Sequence, residues 1–155
     1  MKKGHRLIIG YGSPLRGDDG LGWAVAGQLA AHIPDESVEI RVVHQLTPEL
    51  VEPISEAELV IFVDASREGP VGKWSCVEVE PETGPSAPLE HQFGAGKLLG
   101  YARKVFNACP RALLVSVTGE SFACCEELSE TVEKVIPQVV RFICAQVAAP
   151  IPVSA

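Results

Sequence analysis

The chain lacks any apolar run approaching the roughly 20 residues that a membrane-spanning helix requires, so no membrane partner is expected. It also lacks a basic tract. Lys2, Lys3 and Arg6 are too few, and the formal net charge is −7. Nucleic acid is therefore set aside as a partner, because phosphate binding needs a basic face. The apolar stretch after Lys2 and Lys3 is too short for a signal peptide. The five cysteines, Cys76, Cys109, Cys124, Cys125 and Cys144, include no CxxC pair. That excludes a regular disulfide framework and points to reduced thiols in a cytoplasmic protein. The adjacent Cys124 and Cys125 have no histidine or further cysteine near them in sequence, which argues against a soft-metal site. Neither a GxSxG elbow nor an HExxH pair occurs. A hydrolase built on this chain must use carboxylates, a metal, or both.

What is present describes one compact domain. The length of 155 residues and a hydrophobic content of 46% suffice for a sizeable core. Residues 6–10 read as a buried strand and 19–32 as a helix, with Leu21, Val25, Leu29 and Ile33 near helical spacing. Pro34-Asp35 breaks that helix. Residues 37–44 form a β-rich run, after which Thr47 is the expected N-cap and Pro48 the first position of a short helix. The continuous apolar run 59–63 suits a strand covered on both faces, and it ends in Asp64. Residues 74–79 carry charges and read as an edge strand, 81–88 as a loop, 93–106 as a helix and 112–117 as another buried strand. Ser129 is placed to cap a last helix with an apolar stripe of Val132, Val135, Ile136, Val139, Ile143 and Val147. Glu130 and Lys134 on it form a favourable i,i+4 pair. Strands alternate with helices throughout. The expectation is a single α/β domain over 1–149, with a mostly parallel sheet, helices on both faces, and a disordered tail at 150–155.

The densest chemistry lies in Gly10-Tyr11-Gly12-Ser13-Pro14-Leu15-Arg16-Gly17-Asp18-Asp19-Gly20-Leu21-Gly22, between the first strand and the first helix. In an open α/β sheet this carboxyl edge is where ligands bind. The opening resembles GxGxxG, but Leu15 takes the third glycine position and Pro14 removes an amide donor. His44, not an acidic residue, ends the second strand. A nucleotide-binding domain is thus the weaker reading. Aspartates at a helix start commonly serve as caps. One of Asp18 and Asp19 suffices for that, which leaves a second carboxylate crowded against the first. Asp64 sits at the tip of the third strand, on the same edge. His5 and His32 read as solvated surface residues. His91 lies in the loop entering a helix. Two carboxylates and an imidazole would give an O,O,N set suited to a first-row divalent metal, with positions left for water or for ligands from another molecule.

These residues resemble a known family, the hydrogenase maturation peptidases. The resemblance is carried by Ile9-Gly10-Tyr11-Gly12 with Leu15, by Asp18-Asp19-Gly20 with Gly22, and by His44-Gln45-Leu46-Thr47-Pro48-Glu49-Leu50. It continues through Asp64-Ala65, His91-Gln92, and Gly119-Glu120-Ser121-Phe122 with Leu128-Ser129. The His44–Leu50 wording resembles the branch serving bidirectional, NAD-linked hydrogenases. The resemblance implies a five-stranded twisted sheet with helices on both faces. It implies an endopeptidase that removes the C-terminal extension of a [NiFe] hydrogenase large-subunit precursor after nickel insertion. The acidic composition and the single small domain, read separately, suggest a cytoplasmic protein that is a monomer when idle. The resemblance also implies that Asp19, Asp64 and His91 are the catalytic and metal-contacting residues. Nickel, carried by the substrate, would be the metal they meet. A non-catalytic chaperone that checks the precursor's metal through the same residues is the alternative. The family usually has asparagine at Ser13, some members have glutamate at Asp19, and relatives often have glycine where Cys124-Cys125 stand.

Overall fold

The computed structural model describes residues 4–33, 36–83 and 94–150. Five strands form one sheet in the order β2-β1-β3-β5-β4. They are β1 (Arg6–Tyr11), β2 (Val38–Val43), β3 (Leu59–Ser66), β4 (Trp74–Glu78) and β5 (Arg111–Thr118). Among the described residues four strands pair in parallel, and only the edge strand β4 runs antiparallel, against β5. The helices are α1 (Leu21–His32), α2 (Val51–Glu56), α3 (Ala95–Phe106) and α4 (Glu130–Ala148). This is the α/β architecture expected from the sequence.

Alternation along each strand divides the core in two. Ile8, Ile61, Val63, Val115 and Val117 face α1 and α4, where they meet Leu21, Val25, Ile136 and Val139. Leu7, Ile9, Val60, Phe62 and Ala112 face α2 and α3, where they meet Leu50, Ile54, Leu98 and Leu99. Both faces of the central strands are covered, which is why their sequences are nearly continuous apolar runs. The chain leaves β1 through α1 to reach β2, then crosses back through α2 to β3 on the other side of β1. Strand order therefore reverses between β1 and β3, and their carboxyl ends flank the crevice that such a reversal opens.

Several local expectations are revised. β3 does not stop at residue 63. Its parallel pairing with β5 continues through Asp64–Ser116 to Ser66–Thr118, so Asp64 lies within the strand. The first helix starts later than expected, because Gly17–Gly20 forms a 3-10 turn ahead of α1. Thr47 is extended at the start of a second 3-10 turn (Pro48–Leu50), but it makes no capping bond; its Oγ1 donates to Glu49 instead. Ser129 does cap α4, accepting from Val132 N at 3.3 Å. Among the described residues Glu130 and Lys134 form no ion pair with each other. His5 is not solvated: its side chain is 15% exposed and lies 3.5 Å from Glu39. The expected helix start at 93, the break at Pro34-Asp35, most of the 81–88 loop and residues 151–155 lie outside the described residues.

Gly22 fixes how closely α1 approaches the sheet. A Cβ there would stand 2.7 Å from both Tyr11 N and Val63 O. Backbone cannot yield as a flexible side chain would. Gly22→Ala is expected to destabilise the protein by about 1–3 kcal/mol by pushing α1 off β1 and β3. Thermal unfolding that matches wild type would show that the close approach is not needed.

Candidate active site

The site begins as one row across the sheet. Gly10 pairs with Val63, which sets Tyr11 beside Asp64, and Asp64 pairs with Ser116. All three side chains fall on the α2 and α3 face, directly above Ile9, Phe62 and Leu114. They end an apolar column with polar atoms. Tyr11 Oη donates to Asp64 Oδ2 at 2.7 Å, and Ser116 Oγ donates to Oδ1 at 2.7 Å.

Burial raises the affinity of Asp64 for its proton above the ordinary carboxylate value. The two hydroxyl donors oppose that shift, and the charge of Asp19 reinforces it. Tyr11 is pushed well above the usual phenol range by burial, then by the charge of Asp64 and the bond to it. It therefore remains a donor at any physiological pH. A half-buried carboxylate with raised proton affinity can act as a general base or as an oxygen ligand to a cation.

Two neighbouring aspartates in the 3-10 turn take separate roles. Asp18 is fully buried and turned away from solvent. Its Oδ2 accepts from Glu120 N at 2.7 Å, Ser121 N at 3.1 Å and Ser129 Oγ at 2.8 Å, while Oδ1 accepts from Ser129 N at 2.7 Å. Burial raises its proton affinity, but these donors outweigh burial, and the net shift is downward. Asp18 N also donates to Ser121 O, and Gly17 N to Cys125 O. Gly17 reaches that position with φ +57, a left-handed conformation that glycine adopts without strain. Neither aspartate makes a side-chain cap on the turn or on α1.

Asp19 faces the rim instead. It is half-buried, and its Oδ2 accepts from Ser13 N at 2.7 Å. The contact at residue 13 is thus a backbone one, which serine supplies as well as asparagine does. The loop is held from its other side by Trp23, whose indole N–H donates to Gly12 O at 2.9 Å. The ring of exposed His44 lies 5.1 Å from that of Trp23. Beyond Asp18, the guanidinium of Arg67 stacks 4.0 Å over the ring of Phe122.

Of the residues singled out from sequence, Asp19 and Asp64 meet at one edge, near enough for the charge of Asp19 to act on Asp64. His91 lies outside the described residues, as does Gln92. Among the described residues, no group of three His, Cys, Asp or Glu side chains could hold a metal. All five cysteines are free thiols, with Cys124 and Cys125 exposed. Sequence reasoning missed Tyr11 and Ser116 as partners of Asp64. The signal that finds them is register: in parallel strands, residues two along from Ile9, Phe62 and Leu114 share one face.

No protein-family model and no curated protein matches the sequence. Solved structures do match its architecture. The hydrogenase maturating endopeptidase HybD from E. coli superposes with a TM-score of 0.77, over 93% of this chain and 92% of that one. The fold is that of the hydrogenase maturation endopeptidases. Sequence identity to HybD is 24%. The [NiFe] hydrogenase maturation protease HycI from Thermococcus kodakarensis KOD1 gives a TM-score of 0.75 at 23% identity, over 94% of this chain and 93% of that one. The hydrogenase 2 maturation peptidase from a Thaumarchaeota archaeon gives 0.69 at 24%, over 92% and 97%. The likeness to these maturation endopeptidases thus extends over nearly the whole of each chain.

Proposed function

We propose that this chain is an endopeptidase that removes the C-terminal extension of a [NiFe] hydrogenase large-subunit precursor after nickel insertion. The observation that carries the reading is the pair Asp19 and Asp64 at the carboxyl edge of a fold shared with hydrogenase maturation endopeptidases. In this reading Asp19, Asp64 and His91 meet the precursor's nickel, which remains the substrate's own metal. The described residues supply fewer ligands than a resident metal needs. A substrate that brings its own metal, already held by thiolates, would complete the set. In this reading idle proteolysis is suppressed, because the substrate's metal completes the centre.

Hydrolysis adds water across the scissile amide: hydroxide joins the carbonyl carbon and a proton reaches the leaving nitrogen. Two routes fit: Asp64 takes the proton from water, for which its raised proton affinity suits it, or Asp64 stays on the substrate's metal and that metal polarises the scissile carbonyl. The metal-checking chaperone makes the opposite forecast, namely binding without a change in precursor length. Among the described residues no helix is long and apolar enough to cross a membrane. We place the activity in the cytoplasm, with the idle enzyme a monomer.

Intact-mass measurement tests the proposal. A nickel-loaded precursor from the same organism is incubated with wild type and with Asp19→Ala, alongside nickel-free precursor. Loss of a C-terminal peptide is expected only with wild type and only with nickel. An unchanged mass in the wild-type, nickel-loaded sample overturns the peptidase reading.

A further inference from the structure

We infer that Tyr11 and Ser116 are positioning residues that hold the carboxylate of Asp64 in one orientation at the edge of the sheet. The inference rests on the peptidase reading above and assigns two of its residues. An aspartate's terminal torsion is broad, so the strand that carries Asp64 does not by itself fix the orientation of its carboxylate. Here a separate hydroxyl binds each oxygen, one from β1 and one from β5, both at 2.7 Å. The donors flank β3 in a single register row, so neither depends on a loop. Tyr11 packs against the core formed with α2 and α3, which anchors its ring beneath the hydroxyl. Ser116 is clamped on both sides, paired with Asp64 on β3 and with Ser75 on β4.

A carboxylate oxygen has two lone pairs. Each oxygen of Asp64 spends one on its hydroxyl and keeps one for water, a substrate proton or the substrate's metal. Tyr11 and Ser116 thereby decide where those remaining lone pairs point, while the reaction itself passes through Asp64. Without the hydroxyls the side chain would rotate among several orientations, and only a fraction of molecules would present the productive one. The charge of Asp19 would add to the disorder, because an unheld carboxylate swings away from a like charge.

The experiment compares precursor processing by wild type, Tyr11→Phe, Ser116→Ala and Ser116→Thr, at saturating nickel-loaded precursor and on samples checked by thermal unfolding. Removing either hydroxyl is expected to lower kcat by about 10–100-fold, the usual cost of losing a group that orients a metal or catalytic carboxylate. Ser116→Thr restores a hydroxyl on a strand that accepts β-branched residues, and it should regain most of the rate. A merely structural role would track the melting temperature and would not be rescued by the hydroxyl. If Tyr11→Phe fails to fold, the alanine and threonine variants at 116 still decide. Wild-type kcat in both Tyr11→Phe and Ser116→Ala overturns the inference while leaving the peptidase reading standing. So does a threonine variant as slow as the alanine one. Precursor left intact by wild type itself removes the peptidase reading, and this inference with it.

Discussion

Asp18→Ala should cost roughly 3–5 kcal/mol of stability, the scale expected when several donors lose one shared acceptor. Four donors lose their acceptor at once: the backbone N–H groups of Glu120, Ser121 and Ser129, and the Ser129 hydroxyl. Each then faces the space where the carboxylate stood, and a donor left without an acceptor costs about 1–3 kcal/mol when it is buried, less where water reaches it, as at exposed Glu120 and Ser121. Relaxation lets some find water, which keeps the total below the sum. A domain of this size holds only about 5–15 kcal/mol in all. The melting temperature should therefore fall by roughly 10 °C or more. A fall of less than about 2 °C would show that the 119–129 segment is held by something else.

Asp18→Asn separates charge from shape. Asparagine has one oxygen, and Asp18 accepts on both. Whichever way the amide turns, its NH2 group confronts another donor, so this variant should also lose stability. The pH dependence follows from the downward shift. Folding lowers the proton affinity of Asp18, so its contribution is fully present above the unfolded carboxylate value near pH 4, and it is lost as pH falls through the lower folded value. Acidification should narrow the gap between wild type and Asp18→Asn, and a gap that widens would contradict the shift.

Asp64→Asn has the contrary signature: the fold survives and the chemistry is lost. Tyr11 and Ser116 carry hydroxyls that can accept as well as donate, so an amide placed between them still finds partners. The variant also removes a desolvated charge that stands near Asp19. Its melting temperature should equal or exceed that of wild type. Precursor processing should fall by at least about 10²-fold, the lower end of what a positioned general base contributes. Processing at the wild-type rate would sink the assignment of Asp64, and a collapse of the melting temperature would sink the account of its surroundings.

The parts of the fold most legible in sequence are those where packing and local pattern agree. Residues 59–63 are apolar without interruption because β3 is covered on both faces, and α4 carries an apolar stripe because one side meets the sheet. The edge strand announced itself through exposed charge at Glu78. Legibility failed where a role depends on a distant segment. Asp18 and Asp19 are identical neighbours, and nothing local says which turns inward; the answer lies with Ser129, which follows by 111 residues. Ser116 looks like a polar blemish in an apolar strand until β3 is laid beside it. Thr47 has the composition of a cap, yet its hydroxyl finds the Glu49 side chain first. Asp64 seemed to close its strand because the apolar run stops there, whereas pairing with β5 carries the strand on to Ser66.

The tie between Asp18 and the start of α4 has a consequence for the order of events during synthesis. The carboxylates at 19 and 64 leave the ribosome early, and β1 and β3 can pair long before the chain is finished. The donors at 120, 121 and 129 come late, and closing so long a loop makes this one of the last contacts to form. A nascent chain halted before Ser129 would hold both rim carboxylates yet lack the anchor that settles their turn. Synthesis as far as Ser129, just ahead of the last helix described, thus sets when the turn that carries both aspartates can be anchored.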